Sequence, residues 1–130
     1  MLNLTVSALL RGADAPLRDA LDVLYDAPNE LVAALGPIAR GETPDALRTS
    51  GYVDYSLQTA LHDALDAPSA EAAIVTAVNR GGDTDTIGAI AGAVAGARFG
   101  ASGLPDRWLA AIDGADELER LATRIAAADR

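Results

Sequence analysis

Apolar residues recur every three or four positions along most of the chain, which is the spacing of one face of an α-helix. The segment after Gly51 is an example, with apolar residues on one side at Val53, Leu57, Ala60, Leu61 and Leu65. No segment sustains an alternation of apolar and polar residues, the pattern of a half-buried strand. The sequence is also rich in alanine, which favours helix. We therefore predict a single all-α domain over residues 1–130.

Proline, glycine and capping residues divide this helical pattern into segments. Asp14 and Ser69 stand where helix N-caps are expected, and Gly36-Pro37 is expected to end a short helix. The predicted helices cover residues 2–11, 14–24, 31–35, 43–49, 52–65, 69–78, 84–99, 107–112 and a closing amphipathic segment with Leu118, Leu121 and Ile125. No linker between them is long enough to divide the domain.

The stretch from Asn79 to Gly96 concentrates oxygen-bearing side chains directly after two glycines. Asp83, Asp85 and Thr86 offer carboxylate and hydroxyl oxygens, which suit hard cations such as Mg²⁺ or Mn²⁺. The start of a helix also favours a bound anion such as a phosphate. The same residues are ordinary helix caps, and on the residues alone capping is the favoured interpretation and metal binding the alternative. A Walker loop would need a lysine, which the chain lacks.

Glycine recurs every four residues along the helix predicted to follow, at Gly88, Gly92, Gly96 and Gly100. A glycine inside a helix costs about 0.5–1 kcal/mol relative to alanine. A row of glycines on one ridge therefore indicates that another helix crosses very closely there. We expect this crossing to hold the N-terminus of the helix, and with it the candidate ligands, in a fixed place.

The chain is strongly acidic, with a net charge of −9, and every basic residue is arginine. Such a surface repels nucleic-acid phosphates and anionic membranes, so we expect neither as a partner. Acidity without lysine favours a halophilic origin, and GC-rich codon use is the alternative explanation. Cysteine is absent, which excludes disulfides, thiolate zinc sites and a cysteine nucleophile. Because no signal peptide or membrane-spanning run is visible, we expect a cytoplasmic protein.

Two further side chains could carry chemistry without belonging to a motif. His62 is the only histidine, and a surface or packing role is more typical of such a residue than that of a general base. Tyr52 follows Gly51 and could stack on a planar ligand, with packing in the core as the alternative. No serine stands in a recognisable nucleophile arrangement, so we predict no catalytic residue.

The motif Gly-Asp-Thr-Asp-Thr-Ile-Gly-Ala-Ile-Ala-Gly at 82–92 closely resembles the ADP-ribosylglycohydrolase family, which includes the dinitrogenase-reductase-activating glycohydrolase. Further matches are Gly96, Gly51-Tyr52-Val53 and Gly103-Leu104-Pro105 followed by Trp108-Leu109. The resemblance implies an orthogonal multi-helix fold. It also implies cleavage of the glycosidic bond between ADP-ribose and a protein side chain or a related conjugate.

The resemblance also assigns roles to residues. It implies a binuclear Mg²⁺ centre, in some members Mn²⁺, with Asp83, Asp85 and Thr86 among the metal ligands. It implies that Tyr52 and Gly82 bind substrate, with the ring of Tyr52 against the adenine. The expected partner is ADP-ribose or an ADP-ribosylated protein.

The family carries a second set of ligands in its N-terminal half, in a Gly-Asp-Ala-x-Gly-like and a Thr-Asp-Asp-Thr-like motif. Residues 1–50 contain neither motif, nor the glycine-rich diphosphate loop found there in the family. The chain therefore resembles the C-terminal half of such an enzyme, apparently truncated, and we expect a separate chain or a longer reading frame to supply the rest. A non-catalytic ADP-ribose-binding module and a decayed gene fragment are the alternatives. All three predict an exposed apolar face or a dimer.

Overall fold

The computed structural model of the chain describes residues 1–24 and 26–128. Over these ranges the chain forms eight α-helices and a short 3₁₀-helix and has no strand, which confirms the all-α prediction. The helices are α1 (Leu2–Leu10), α2 (Pro16–Val23), α3 (Asn29–Ala39), α4 (Val53–Asp66), α5 (Ala70–Asn79), α6 (Thr84–Phe99), α7 (Asp106–Leu109) and α8 (Ala115–Ala128). The 3₁₀-helix, Ala101–Gly103, lies between α6 and α7.

Helix α6 lies at the centre of the fold and packs against α1, α4 and α5. Its buried residues are Ile87, Ala91, Val94 and Ala95. The core also includes Leu35 of α3 and Leu61 of α4, both fully buried, but alanine is its commonest residue. Short side chains let helix axes approach closely, so a 130-residue chain with few aromatics still forms a packed interior.

Hydrogen bonds at the helix ends join α4, α5 and α6 into one unit. The Ser69 hydroxyl accepts a hydrogen bond from the Ala72 backbone amide at 3.1 Å, which confirms the predicted N-cap of α5. Arg98 of α6 donates to the carbonyls of Ala64 and Ala67, at 3.0 and 2.7 Å. These carbonyls lie at the end of α4, where intrahelical donors run out. The guanidinium of Arg98 therefore fixes the end of α4 against α6.

Three predicted boundaries differ from the structure. Helix α2 begins at Pro16, with Ala15 rather than Asp14 at its N-cap and no side-chain capping bond. Helix α3 continues to Ala39 with Pro37 inside it, so Gly36-Pro37 does not end the helix. A proline so near the end of a helix removes only one backbone bond, and the Arg40 amide closes the final turn. Helix α7 ends at Leu109 and is shorter than predicted.

The helix predicted over residues 43–49 is wrong, because this segment forms no regular secondary structure. The carbonyls of Arg48 and Ser50 accept hydrogen bonds from hydroxyl groups of α4. The carbonyl of Thr49 accepts a hydrogen bond from the backbone amide of Asp83. Partners elsewhere in the fold therefore satisfy the carbonyls of residues 48–50.

The glycine ridge of α6 contacts its neighbour at one end only. A Cβ on Gly88 would lie 2.9 Å from Cγ2 of Val78 on α5, whereas one on Gly92 would lie 3.9 Å from the Ile74 side chain. A Cβ on Gly96 would meet no atom within 4 Å, and Gly100 follows the helix as its C-cap. The predicted close crossing is therefore confirmed at Gly88, at the N-terminal end of α6, and is wrong for the C-terminal half.

Helix α8 lies outside the core, and none of its residues is buried. Its apolar side chains Leu118, Leu121 and Ile125 are exposed, Ile125 by 72%. They are spaced by three and four residues and so share one face of the helix. This face agrees with the expectation of exposed apolar surface. In the part of the chain that the structure describes, no helix combines the length and hydropathy needed to cross a membrane.

Candidate metal and substrate site

The turn between α5 and α6 brings the chain into the candidate site through two glycines in the left-handed region. Gly81 has a φ of 78° and Gly82 a φ of 73°. A Cβ on Gly82 would lie 2.6 Å from Oγ1 and 2.8 Å from Cβ of Thr49, and closer still to the Thr49 carbonyl oxygen. The backbone amide of Asp83 donates to that carbonyl at 3.0 Å. Glycine is therefore required at position 82, where two backbone segments touch.

Asp83 and Asp85 are brought together where α6 begins. Asp83 stands at the N-cap position and makes no side-chain capping hydrogen bond. The pKa of Asp85 is lowered, first by a hydrogen bond with the side chain of Asp83 and then by bonds from the backbone amides of Thr86 and of Asp85 itself. Asp85 and Thr86 are exposed and Asp83 is half-buried, so the pair is open to a ligand.

The residues at the start of α6 fit part of the coordination sphere of a hard cation. They supply two carboxylates and one hydroxyl, the oxygen donors that Mg²⁺ and Mn²⁺ prefer. Mg²⁺ takes about six oxygen ligands in an octahedron, and here it would draw the rest from elsewhere. Among residues 1–24 and 26–128, no group of three or more His, Cys, Asp or Glu side chains is placed to hold a metal ion.

Tyr52 lies beside this carboxylate pair. A Cβ on Gly51 would lie 3.4 Å from Oδ2 of Asp83, so the backbone that leads into Tyr52 passes next to that carboxylate. The side chain of Tyr52 is 58% exposed, which excludes packing in the core. Its ring lies 5.2 Å from that of Tyr55, at an interplanar angle of 56°. Arg48 holds Tyr55 in turn, donating to its hydroxyl at 3.0 Å. The exposed ring of Tyr52, in contact with that of Tyr55, is thus suited to stacking on a ligand.

An ion pair behind the turn was not predicted from the sequence. Asp63 of α4 is 4% exposed and accepts two hydrogen bonds from Arg80, from Nε at 2.6 Å and from Nη2 at 2.7 Å. The bond to Asp63 raises the pKa of the Arg80 guanidinium. His62 Nδ1 lies 3.2 Å from Oδ1 of Asp63, and its side chain is 15% exposed, which is consistent with the surface or packing role expected of it. An aspartate between Ala60 and Ala64 on a buried helix face was the available signal.

The sequence model of the family described as ADP-ribosylglycohydrolase matches residues 1–130. The chain belongs to the ADP-ribosylglycohydrolase family. This confirms the resemblance that the motif at 82–92 indicated. In this ADP-ribosylglycohydrolase-family chain, that motif forms the turn into α6 and the first turns of the helix.

Curated members related to this ADP-ribosylglycohydrolase-family chain are considerably longer. ADP-ribosylarginine hydrolase Tri1 of Pseudomonas putida (strain GB-1) is 31% identical over 116 residues, 89% of this chain and 31% of that protein. ADP-ribosyl-(dinitrogen reductase) glycohydrolase of Rhodospirillum rubrum is 38% identical over 66 residues, 51% of this chain and 22% of that protein. ADP-ribosylhydrolase ARH3 of Danio rerio is 44% identical over 55 residues, 42% of this chain and 15% of that protein. The matched part is thus under a third of each relative's length. No solved structure matches the chain.

Proposed function

We propose that the chain supplies one side of the active site of an ADP-ribosylglycohydrolase, which hydrolyses the bond between ADP-ribose and a protein side chain or a related conjugate. The observation that carries this proposal is that Asp83 and Asp85 both stand at the start of α6, where the Asp83 carboxylate lies beside Gly51, the residue before the exposed Tyr52. Family membership over the whole chain supports the class of reaction. The names of the relatives support ADP-ribosylated substrates as the class of ligand.

The proposed metal ligands are Asp83, Asp85 and Thr86, and the proposed metal is Mg²⁺ or Mn²⁺. A bound divalent ion would act as a Lewis acid and a template for ribose hydroxyls and water. Asp83 and Asp85 support this assignment because both stand at the start of α6 and are accessible to a ligand. The N-terminus of α6 carries a partial positive charge from the helix dipole. This charge opposes a bound cation that is not neutralised by carboxylates, and it stabilises any anionic group of the substrate near the same turn.

The proposed substrate-binding residues are Tyr52 and Gly82. An exposed tyrosine ring supported by a second ring offers a face for the adenine. Gly82 is exposed and has no side chain, so a ligand can approach the turn closely. Gly82 precedes Asp83, and Gly51, the neighbour of Tyr52, lies beside its carboxylate, which supports nucleoside and ribose contacts on one small surface.

A second polypeptide segment is proposed to complete the site. The chain offers two carboxylates where a binuclear centre needs more, and residues 1–50 lack the acidic motifs of the family. Because the curated relatives are more than three times as long as the part matched, that segment could be encoded with this chain or apart from it. The exposed apolar face of α8 is compatible with such a contact.

The test is hydrolysis of ADP-ribosyl-arginine in the presence of Mg²⁺, by the chain alone and by the chain mixed with a candidate N-terminal segment. We expect turnover only in the mixture, and a loss of at least about 100-fold with Asp85→Asn, because a metal ligand is removed. Asp113→Asn, in the exposed segment before α8, is the matched control and should leave turnover unchanged. No turnover with both folded segments present would contradict the proposal.

A non-catalytic ADP-ribose-binding module is the second candidate. It is favoured by the small number of acidic ligands in the described part of the chain, since stacking on Tyr52 needs no metal. Calorimetry with ADP-ribose distinguishes the two. Micromolar binding by the lone chain that is lost with Tyr52→Ala, without turnover in any mixture, would favour the binding module.

A further inference from the structure

Helix α4 carries a buried polar stripe, which we define as Ser56, Thr59 and Asp63. The intervals of three and four residues place the three side chains on one face of the helix. They are 2%, 0% and 4% exposed, whereas most of the buried residues around them are apolar. Polar groups on a buried helix face cost free energy unless each finds a partner. The hydrogen-bond partners of these three side chains therefore indicate the structural role of the stripe.

Each side chain of the stripe bonds to a loop of the candidate site. The Ser56 hydroxyl donates to the Ser50 carbonyl at 2.9 Å, and the Thr59 hydroxyl donates to the Arg48 carbonyl at 2.7 Å. Asp63 accepts two hydrogen bonds from Arg80, at the end of α5. The first two bonds hold the loop 48–51, and the third holds the turn 80–83.

The two loops that the stripe holds also hold each other. The Asp83 amide donates to the Thr49 carbonyl at 3.0 Å, Gly82 lies against the same residue, and Gly51 lies beside Oδ2 of Asp83. The loop 48–51 has no regular secondary structure of its own, so its position depends on these bonds. A displacement of Thr49 would move the backbone of Asp83 with it.

We propose that Ser56, Thr59 and Asp63 are positioning residues that set the geometry of the Asp83–Asp85 pair and of Tyr52. The inference rests on the proposed function for what that pair binds, but the positioning itself rests on the bonds described above. No residue of the stripe touches the proposed metal or substrate. The stripe acts through the backbone of residues 48–51 and 80–83, much as outer-shell partners orient ligands in metal sites.

Thr59 offers a sharp test, because valine has the shape of threonine without the hydroxyl and serine has the hydroxyl without the methyl group. The probe is Mn²⁺ binding to the full chain, followed by electron paramagnetic resonance. We expect Thr59→Val to weaken Mn²⁺ binding by about tenfold or more, the usual effect of losing an outer-shell partner. Thr59→Ser should restore binding to within about twofold of the wild type.

Thr5→Val is the matched control. Thr5 is also fully buried, but its hydroxyl donates to the Met1 carbonyl within α1, at 3.3 Å. It should leave Mn²⁺ affinity unchanged whatever it does to stability. Should Thr59→Val not fold, Ser56→Ala takes its place, with the same expected direction. Equal Mn²⁺ affinities in folded Thr59→Val and Thr5→Val would overturn the inference.

Hydrogen exchange at the Asp83 amide separates this inference from the proposed function. The amide is bonded to Thr49, so we expect its exchange to be at least about tenfold faster in Thr59→Val, and unchanged in Thr5→Val. If the wild-type chain alone binds no Mn²⁺, metal binding requires the second segment, and exchange alone decides on the stripe. Faster exchange in Thr59→Val alone would then support positioning, and equal exchange in both variants would overturn it.

Discussion

Gly82 turns the chain into α6 with a φ of 73°, and its α-carbon faces Thr49 without room for a side chain. Gly81 has nearly the same φ, 78°, but a Cβ there would meet no atom within 4 Å. The two neighbours therefore share a backbone conformation and differ in surroundings. This makes them a matched pair, in which the strain of the left-handed region can be separated from the cost of steric contact.

We expect Gly81→Ala to lower the free energy of unfolding by about 1–2 kcal/mol, the cost of a side chain in the left-handed region. Gly82→Ala should cost clearly more, because the new Cβ must also displace Thr49 and break its hydrogen bond with the Asp83 amide. Urea unfolding of both variants measures the difference. Equal losses would show that the backbone of Thr49 moves away freely.

At this scale the sequence located the candidate ligands but not the residues that hold them. The oxygen-rich motif and its glycines were visible as a contiguous string, and family membership supports their interpretation. The stripe on α4 was not predicted, because two of its partners are backbone carbonyls and the third, Arg80, lies far along the chain. A carbonyl leaves no signature in a sequence, so the role of Thr59 is visible only in the fold.

At the scale of elements, α5 and α6 cross most closely near the site. Val78 of α5 packs so closely against Gly88 that a Cβ on Gly88 would lie only 2.9 Å from its Cγ2 atom. A Cβ on Gly96 would meet open space. The cost of glycine in a helix is the same at both positions, since both are interior to α6. Only at Gly88 does close packing compensate for that cost.

We expect Gly96→Ala to raise the free energy of unfolding by about 0.5–1 kcal/mol, the difference in helix propensity. Gly88→Ala should be less stable than Gly96→Ala by about 1 kcal/mol or more, because α5 must move to admit the methyl group. Thermal unfolding followed by circular dichroism compares the two. A stabilising Gly88→Ala would mean that Val78 moves aside without cost.

The elements that were predicted correctly are those whose local signals agree with their packing. The prediction for α6, residues 84–99, coincides with the observed Thr84–Phe99, because Gly81 and Gly82 turn the chain before it and Gly100 ends it. The predicted helix at 43–49 had equally good local signals in Thr43-Pro44-Asp45. It does not form, and the carbonyls of Arg48 and Thr49 at its C-terminal end bond to α4 and to Asp83. Tertiary bonds of this kind override local preference and cannot be predicted from it.

At the scale of the whole molecule, the core ends before α8. Helices α1 to α6 contribute the buried apolar cluster, whereas every α8 residue after Ala115 is exposed. The whole chain contains no lysine and carries a net charge of −9, and the predicted halophilic origin and cytoplasmic location stay predictions. The apolar face of α8 therefore contributes little to the stability of this chain.

Deleting residues 115–130 should change the free energy of unfolding by less than about 1 kcal/mol, because little apolar surface becomes exposed. Leu61→Ala in α4 is the contrasting variant, and it should cost about 2–5 kcal/mol because Leu61 is fully buried. Chemical unfolding of both measures the difference. A loss after deletion comparable to that of Leu61→Ala would show that α8 packs on the core.

All of the hydrogen bonds that hold the loops of the site together join residues between 48 and 86. This bears on the order in which the helices fold. Contacts that close short loops form at low entropic cost and dominate fast nuclei, so we expect α4 to α6 to assemble first during refolding. Helix α1 packs on α6 although the two are far apart in the sequence, so α1 should dock later. Leu61→Ala would then slow refolding, and a substitution at Val6 would mainly speed unfolding, as stopped-flow kinetics can measure. The site would therefore exist, loops and carboxylates in place, before the N-terminal helix closes the core.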